Sequence, residues 1–367
     1  MSALGEGQPF RILQICSSAA TSGAERHVHS LSTLLQERGH HVQAVVPGPG
    51  WLTDSLAKSG VPVHASYMKG AGWYRTMGFL LRTIRRDKIS LVHTHLTRAA
   101  YIGHYVGLLT KTPIVTSVHI ANNDVIYKRL ARGSNRLVAV SEFVAGMLHG
   151  RGVPDRHIAT VHHGTDFVRF PQTPREEVLD ELGIPRERQL IGLVGKVCRD
   201  KGQVELLHAM RDVRREHPNT HVAFVGRIEE EHRPAVESAL NETGMRDRST
   251  FTGVRHDVPR LLDAMTLSTL PTVMETFGLA AIEASARGRA IVATNVGALP
   301  EVVRDGQTGL LVDLRPEAIA EAVSKLLSED RLREEMGAQG RAYVEQRFTF
   351  DRMVRRFEEV YGAAAGR

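Results

Sequence analysis

Two carboxylates and two ammonium groups stand out by type and spacing. Glu275 and Glu283 lie in the stretch LPTVMETFGLAAIEASARG (270–288). An apolar run ends at Leu270 and a helical pattern starts near Phe277, so Glu275 precedes the helix and Glu283 sits about two turns further on. The N–H groups of Phe277, Gly278 and Leu279 at such a helix start have no partners within the helix. Carboxylates accept from hydroxyls and N–H groups donate, so the element suits a polyhydroxyl ligand. The plain alternative is a capped helix with one exposed glutamate. Against it, Glu283 is set among small and apolar residues, where an unpaired carboxylate is costly.

Lys196 and Lys201 lie in GLVGKVCRDKG (192–202), where a strand runs into a loop and then a helix. Ligands of doubly wound folds bind at the carboxyl edge of the sheet, so this lysine pair suits a pyrophosphate; a solvated lysine pair near a turn is the competing reading. The small residues of SSAATSGAE (17–25) likewise join a strand to a helix, and a helix start favours anions. Neither G-x-G-x-x-G nor a P-loop lysine is present, which disfavours NAD and ATP by those routes. His93 and His95 share one side of a strand, a geometry open to a metal pair. No third ligand is evident from sequence, so His95 reads as a polar residue at the strand end, and His162-His163 as loop packing.

The elements that must position these groups are short apolar runs alternating with amphipathic segments. Strands are expected at 11–16, 41–46, 61–64, 91–95, 114–119, 136–140 and 158–162. A second series follows at 190–194, 221–225, 249–252, 267–270, 290–293 and 309–312. Strands spaced by helices make parallel sheets covered on both faces, and two series in succession make two Rossmann-like domains. The expected division is an N-terminal domain 1–169, a proline-bearing linker 170–188 and a C-terminal domain 189–344, with a last helix about 345–367 crossing back to the first domain. The predicted fold is therefore α/β, two Rossmann-like domains facing across a cleft.

The 367 residues, 42% hydrophobic and 24% charged, exclude disorder and fibrous folds. No apolar stretch is long enough to span a bilayer, and the first residues lack a secretory pattern. With two cysteines, Cys16 and Cys198, a reducing cytoplasm is the expected location. Charge is uneven: up to Arg175 there are 20 Lys+Arg against 9 Asp+Glu, a balance of +11, and the remainder carries −5. The basic half should meet something anionic. The segment GWYRTMGFLLRTIRRDK (72–88) is aromatic, apolar and basic, with Trp73, Arg75, Arg82, Arg85 and Arg86 suited to an acceptor at an anionic membrane surface. A sheet-covering helix with a solvated arginine face is the alternative. No nucleic-acid motif accompanies the basic excess, so nucleic acid is not expected as a partner.

Taken together, these pieces resemble the family 4 retaining glycosyltransferases of the GT-B fold, the bacterial lipopolysaccharide, exopolysaccharide and glycolipid group. The resemblance runs through Ser22-Gly23-Ala24-Glu25, Val92-His93-Thr94-His95, Thr116-Ser117-Val118-His119, His163-Gly164-Thr165-Asp166, Lys196, Lys201-Gly202 and Glu275 to Glu283. It continues into 290–301 and 305–312.

The resemblance implies a hexosyl-type transferase that takes a UDP-, GDP- or ADP-sugar to a glycan or lipid-linked acceptor. It implies that Glu283 holds the ribose and that Glu275, with the Phe277, Gly278 and Leu279 backbone, contacts the donor sugar. Lys201 and Lys196 would neutralise the diphosphate, His119 would sit by the transferred sugar, and Gly23 would line the phosphate side. Position 196 is usually Arg in the family; Lys keeps the charge and loses the bidentate fork. No D-x-D occurs, so neutralisation is expected from lysine with no metal required. The expected location is the cytoplasm, peripheral on the inner face of the cell membrane.

Overall fold

Each apolar run becomes a strand in the computed structural model, which describes residues 8–70, 72–120, 122 and 124–367. The chain divides into two units, residues 1–163 with 350–367, and 164–349. The first break falls at His163 rather than Arg169.

The first unit holds β1 (Arg11–Cys16), β2 (His41–Val46), β3 (Val63–Ala65), β4 (Leu91–His95), β5 (Ile114–Val118), β6 (Arg136–Ala139) and β7 (Ile158–Thr160). They form one parallel sheet in the order β3-β2-β1-β4-β5-β6-β7. The order reverses between β1 and β4, and such a reversal opens a crevice at the carboxyl ends of the strands. β5 ends one residue before His119, which places that histidine on the carboxyl edge. The expected C-terminal helix starts at Phe350 and runs to Ala365, after a preceding helix, Asp330–Arg347, that belongs to the second unit. Val354, Phe357 and Tyr361 of the last helix join Ile12, Val28, Leu31 and Leu91 in one core. Arg38 fixes that helix with two bonds of 2.9 Å to Glu358, whose carboxylate also meets His40 Nε2 at 3.0 Å.

The second unit holds β8 (Gln189–Val194), β9 (Thr220–Val225), β10 (Ser249–Gly253), β11 (Leu267–Leu270), β12 (Ile291–Thr294) and β13 (Gly309–Val312). These too are parallel, in the order β10-β9-β8-β11-β12-β13, with the reversal between β8 and β11. Its core gathers Ile191, Leu193, Leu206, Met210, Phe224 and Val292.

The segment expected to link the domains is instead packed into the second unit. It forms a helix, Arg175–Glu181, whose Val178 and Leu179 are buried. The segment before it is held by Arg287, itself only 1% exposed. Arg287 Nε and Nη2 donate to the Asp263 carboxylate at 2.8 and 2.7 Å. Nη1 donates to the Phe167 and Phe170 carbonyls at 2.7 Å each, and Nη2 to the Pro171 carbonyl at 3.0 Å. All five guanidinium donors are thus used, which a lysine's three could not match. Removing one partner of a buried pair leaves the other charge stranded. Asp263→Ala should therefore cost about 3–5 kcal/mol in denaturant unfolding followed by circular dichroism. A loss below about 1 kcal/mol, the scale of an exposed pair, would show that Arg287 does not anchor this segment.

Candidate functional site

In the second unit the reversal between β8 and β11 collects the predicted donor-binding groups. The loop leaving β8 carries Lys196 and Lys201; the loop leaving β11 carries Glu275 and enters the helix Leu279–Ala286. The two loops are laced together, since Val273 N–H and the Thr272 hydroxyl both donate to the Asp200 carbonyl, at 2.9 and 2.7 Å. Gly202 permits this approach: it sits at φ +69°, and a Cβ there would lie 1.7 Å from the Pro271 carbonyl oxygen. The lacing puts Lys201 Nζ 2.5 Å from Glu275 Oε2, in a pair still open to solvent. Glu275 is steadied through its backbone, its carbonyl accepting from Ala298 N–H at 2.9 Å.

Gly278, at φ +98°, caps the helix, which starts at Leu279, two residues later than expected, and Phe277 packs its buried ring edge-on to Phe348. Glu283 is 5% exposed, on a helix whose Ala281, Ile282, Ala284 and Ala286 are buried. Lys196 departs from the expected clamp: its Nζ lies 2.7 Å from Glu229 in an exposed ion pair, and its carbonyl accepts from Gln203. Glu229 was not legible as a partner, being 33 residues away on a loop after β9.

In the first unit the carboxyl edge holds five buried histidines, His27, His93, His95, His119 and His163. Gly23 opens the helix Gly23–Glu37, where the Ser22 hydroxyl donates to the Glu25 carboxylate, and His27 follows one turn later. His95 Nε2 lies 2.8 Å from Gln14 Oε1, and His95 Nδ1 lies 3.1 Å from His119 Nε2. With the Gln14 oxygen accepting, His95 carries its proton on Nε2 and accepts at Nδ1 from His119 Nε2–H. His93 bridges Tyr361 and Ser117 at 2.8 Å each, and His27 Nδ1 lies 2.8 Å from His163 Nδ1. Burial drives all five pKa values down: His119 to about 4, with Glu25 pulling the other way, and the other four well below the ordinary value, where neighbouring histidines add to the effect. His27 and Gln14 were missed by the sequence reading, and His163 was read only as loop packing. His163 and His27 are 136 positions apart, and only the fold joins them.

The basic segment forms the helix Gly72–Arg86, with Arg75, Arg82 and Arg85 exposed. Trp73 is half-buried, its ring edge-on to Tyr74 and Tyr105; Phe79, also half-buried, rests against His64. Arg86 is tied to Asp87 by two bonds of 2.7 and 2.9 Å. The exposed apolar groups here are Tyr67, Tyr74, Tyr105, Leu108 and Leu109. No helix among the described residues is long and apolar enough to cross a membrane.

Comparison with known proteins matches residues 21–169 to the family described as "Glycosyltransferase Family 4" and residues 174–343 to "Glycosyl transferases group 1". A D-inositol 3-phosphate glycosyltransferase of Thermobifida fusca (strain YX) is 31% identical over 286 residues, covering 68% of this chain and 64% of that relative. The chain thus spans just under two thirds of that relative's length. The lipopolysaccharide core biosynthesis mannosyltransferase LpcC of Rhizobium leguminosarum bv. viciae is 26% identical over 302 residues, covering 80% and 84% of the two chains. Among solved structures, HepE of Anabaena, crystallised with UDP and glucose, superposes with a TM-score of 0.86 at 18% identity, over 95% of this chain and 98% of that one.

The histidine cluster makes the first unit acid-sensitive. The unfolded chain takes up a proton on each histidine near pH 6.5, whereas the folded cluster takes it up only at much lower pH. Below pH 6.5 the unfolded state therefore binds more protons, so stability is full above that pH and falls as pH drops toward about 4. By pH 5.5 the cluster should have lost on the order of 1 kcal/mol or more of stability. Both tryptophans, Trp51 and Trp73, lie in this unit, so their fluorescence reports its denaturant midpoint. A midpoint unchanged between pH 7.5 and 5.5 would contradict this reading of the cluster.

Proposed function

Because the chain belongs to the family 4 glycosyltransferases of the GT-B fold, we propose that it moves a hexose from a nucleotide-sugar donor to a glycan or lipid-linked acceptor of the cell envelope, with retention of anomeric configuration. The observation that carries this reading is the Lys201–Glu275 pair at the reversal of the second sheet, with Glu283 buried on the following helix. An ammonium and a carboxylate held together are matched to a ligand that offers both a diphosphate and sugar hydroxyls. When the donor binds, Lys201 exchanges Glu275 for the diphosphate, and Glu275 turns to the hydroxyls. Glu283 accepts from the ribose, and the backbone of Phe277, Gly278 and Leu279 lies against the sugar. As the anomeric bond breaks, charge grows on the departing phosphate, and Lys201 is worth more there than in the ground state. Lys196 joins it by releasing Glu229. His119 and Gly23 are assigned by the resemblance to the transferred sugar and the phosphate side. UDP and glucose, named for HepE, support a nucleotide sugar as co-substrate.

A phosphorylated small-molecule acceptor is the second reading, favoured by the name of the Thermobifida relative; the lipopolysaccharide mannosyltransferase favours the first. Pure protein offered UDP-, GDP- and ADP-sugars, with sugar phosphates and lipid-linked glycans as acceptors, should transfer to one class, as read by mass spectrometry. Glu283→Ala should weaken nucleotide binding in calorimetry by about 1–3 kcal/mol, the worth of a hydrogen bond to a charged group. Lys201→Ala should lower kcat more than nucleoside affinity. Unchanged nucleotide binding in Glu283→Ala would remove the ribose assignment.

A membrane-bound acceptor is reached from the surface through Arg75, Arg82 and Arg85 and the exposed Tyr74, Tyr105, Leu108 and Leu109. Trp73 and Phe79 are too covered to lead an insertion, and Arg86 is engaged by Asp87. Each free arginine near an anionic leaflet contributes about 1 kcal/mol. The protein should sediment with phosphatidylglycerol vesicles more than with neutral ones, and less as salt rises. Equal sedimentation with both, or no change on reversing the three arginines to Glu in a folded protein, would leave this face a sheet cover only.

A further inference from the structure

Three of the buried histidines converge as metal ligands do. His27, His95 and His119 each offer one ring nitrogen, and these atoms lie within 4.8 Å of one another. His95 Nδ1 and His119 Nε2 are 3.1 Å apart. Zinc–nitrogen bonds of 2.0–2.1 Å in a tetrahedron place ligand nitrogens about 3.3 Å apart, so that pair is already near the right span, and the His27 nitrogen lies within 4.8 Å of both.

The atoms behind the ligands fit as well. A ligating histidine is held by a partner on its other nitrogen. His95 has Gln14 Oε1 on Nε2, and His27 has His163 on Nδ1. That leaves His27 Nε2, which is fully buried and has no hydrogen-bond partner among the described residues. A buried polar atom without a partner is costly, and a metal ion would satisfy it.

We propose that His27, His95 and His119 form a binding site for a divalent transition-metal ion of the zinc class. Imidazole donors select such ions over Mg²⁺ and Ca²⁺, which want oxygen. The rings are available because burial keeps them neutral. To ligate, His119 carries its proton on Nδ1 instead of Nε2, so the ring stays neutral. Glu25, buried and close enough to raise the His119 pKa, offsets part of the ion's charge. Three protein nitrogens leave a fourth position for water or a ligand oxygen.

Resting on the proposed function, which sets His119 beside the transferred sugar, an ion here occupies the sugar's surroundings and inhibits turnover. Such a site is compatible with a reaction that requires no metal.

The test is binding of Zn²⁺ alone to the full chain, freed of metal by chelator dialysis, in competition with a chromophoric chelator. One ion per chain is expected, and Co²⁺ in its place should show visible d–d bands of a tetrahedral nitrogen site. Gln14→Leu, which keeps all three ligands, should weaken binding about 10–100-fold, and His27→Ala more. His149→Ala and His208→Ala, outside the cluster, should change nothing. Should His27→Ala lose the tryptophan signature of the folded unit, His27→Gln replaces it. No ion bound beyond what the outer histidines explain, or equal binding by the wild type and a folded His27 variant, overturns the proposal. Zn²⁺ binding without inhibition of transfer supports the ion site and counts against the place given to His119.

Discussion

A parallel strand can be followed by another only through a crossover, and every strand of both sheets therefore releases its chain at the same edge. The arrangement of reactive groups depends on this constraint. Where the strand order reverses, two adjacent crossovers depart to opposite faces and leave a gap between their first residues. In the second unit that gap is entered by the loops after β8 and β11, and in the first by those after β1 and β4. Residues remote in sequence become neighbours with no long side-chain reach: Lys201 meets Glu275, and His95 meets both Gln14 and His119. Gly202 sets how near the two loops of the second unit come, because any side chain there would strike the Pro271 carbonyl.

Legibility from sequence followed the range of the interactions. The strands were readable because each is a short apolar run with a turn behind it, a local property. The expected 61–64 became Val63–Ala65, a shift of the kind set by pairing with β2 and not by composition. Glu275 and Glu283 were readable because their meaning lies within nine residues of chain. Lys196 was readable as a charge but not as a partner of Glu229, since nothing local links them. The segment 170–188 looked like a linker because of its prolines. The guanidinium that binds its beginning is more than a hundred positions downstream. The histidine cluster was half visible: the alternation of His93 and His95 announced a shared face. His27, a helical residue in an ordinary amphipathic pattern, gave no sign that it points into the same space.

Burial acts oppositely on the two chemistries. In the first unit it strips histidines of charge, leaving lone pairs and N–H groups to order one another. In the second it leaves the ion pair of Lys201 and Glu275 partly wet, where each can exchange its partner for a ligand at modest cost. The deeply buried ion pair, Arg287 with Asp263, is the one with every donor committed, and it serves the backbone.

The last helix has a consequence for biosynthesis. Residues 350–367 complete the core of the first unit, with Tyr361 bonded to His93 at 2.8 Å, yet they are translated only after the second unit. The whole of the second unit, residues 164–349, is translated in between. At 5–20 residues per second that interval lasts roughly 10–40 s. For that time the seven strands of the first sheet exist without the helix that covers His93 and Leu91. The nascent first unit must wait with an open apolar face until the helix that follows the second unit is made. A nascent chain released before Phe350 would keep that face exposed, a natural handle for chaperones and proteases.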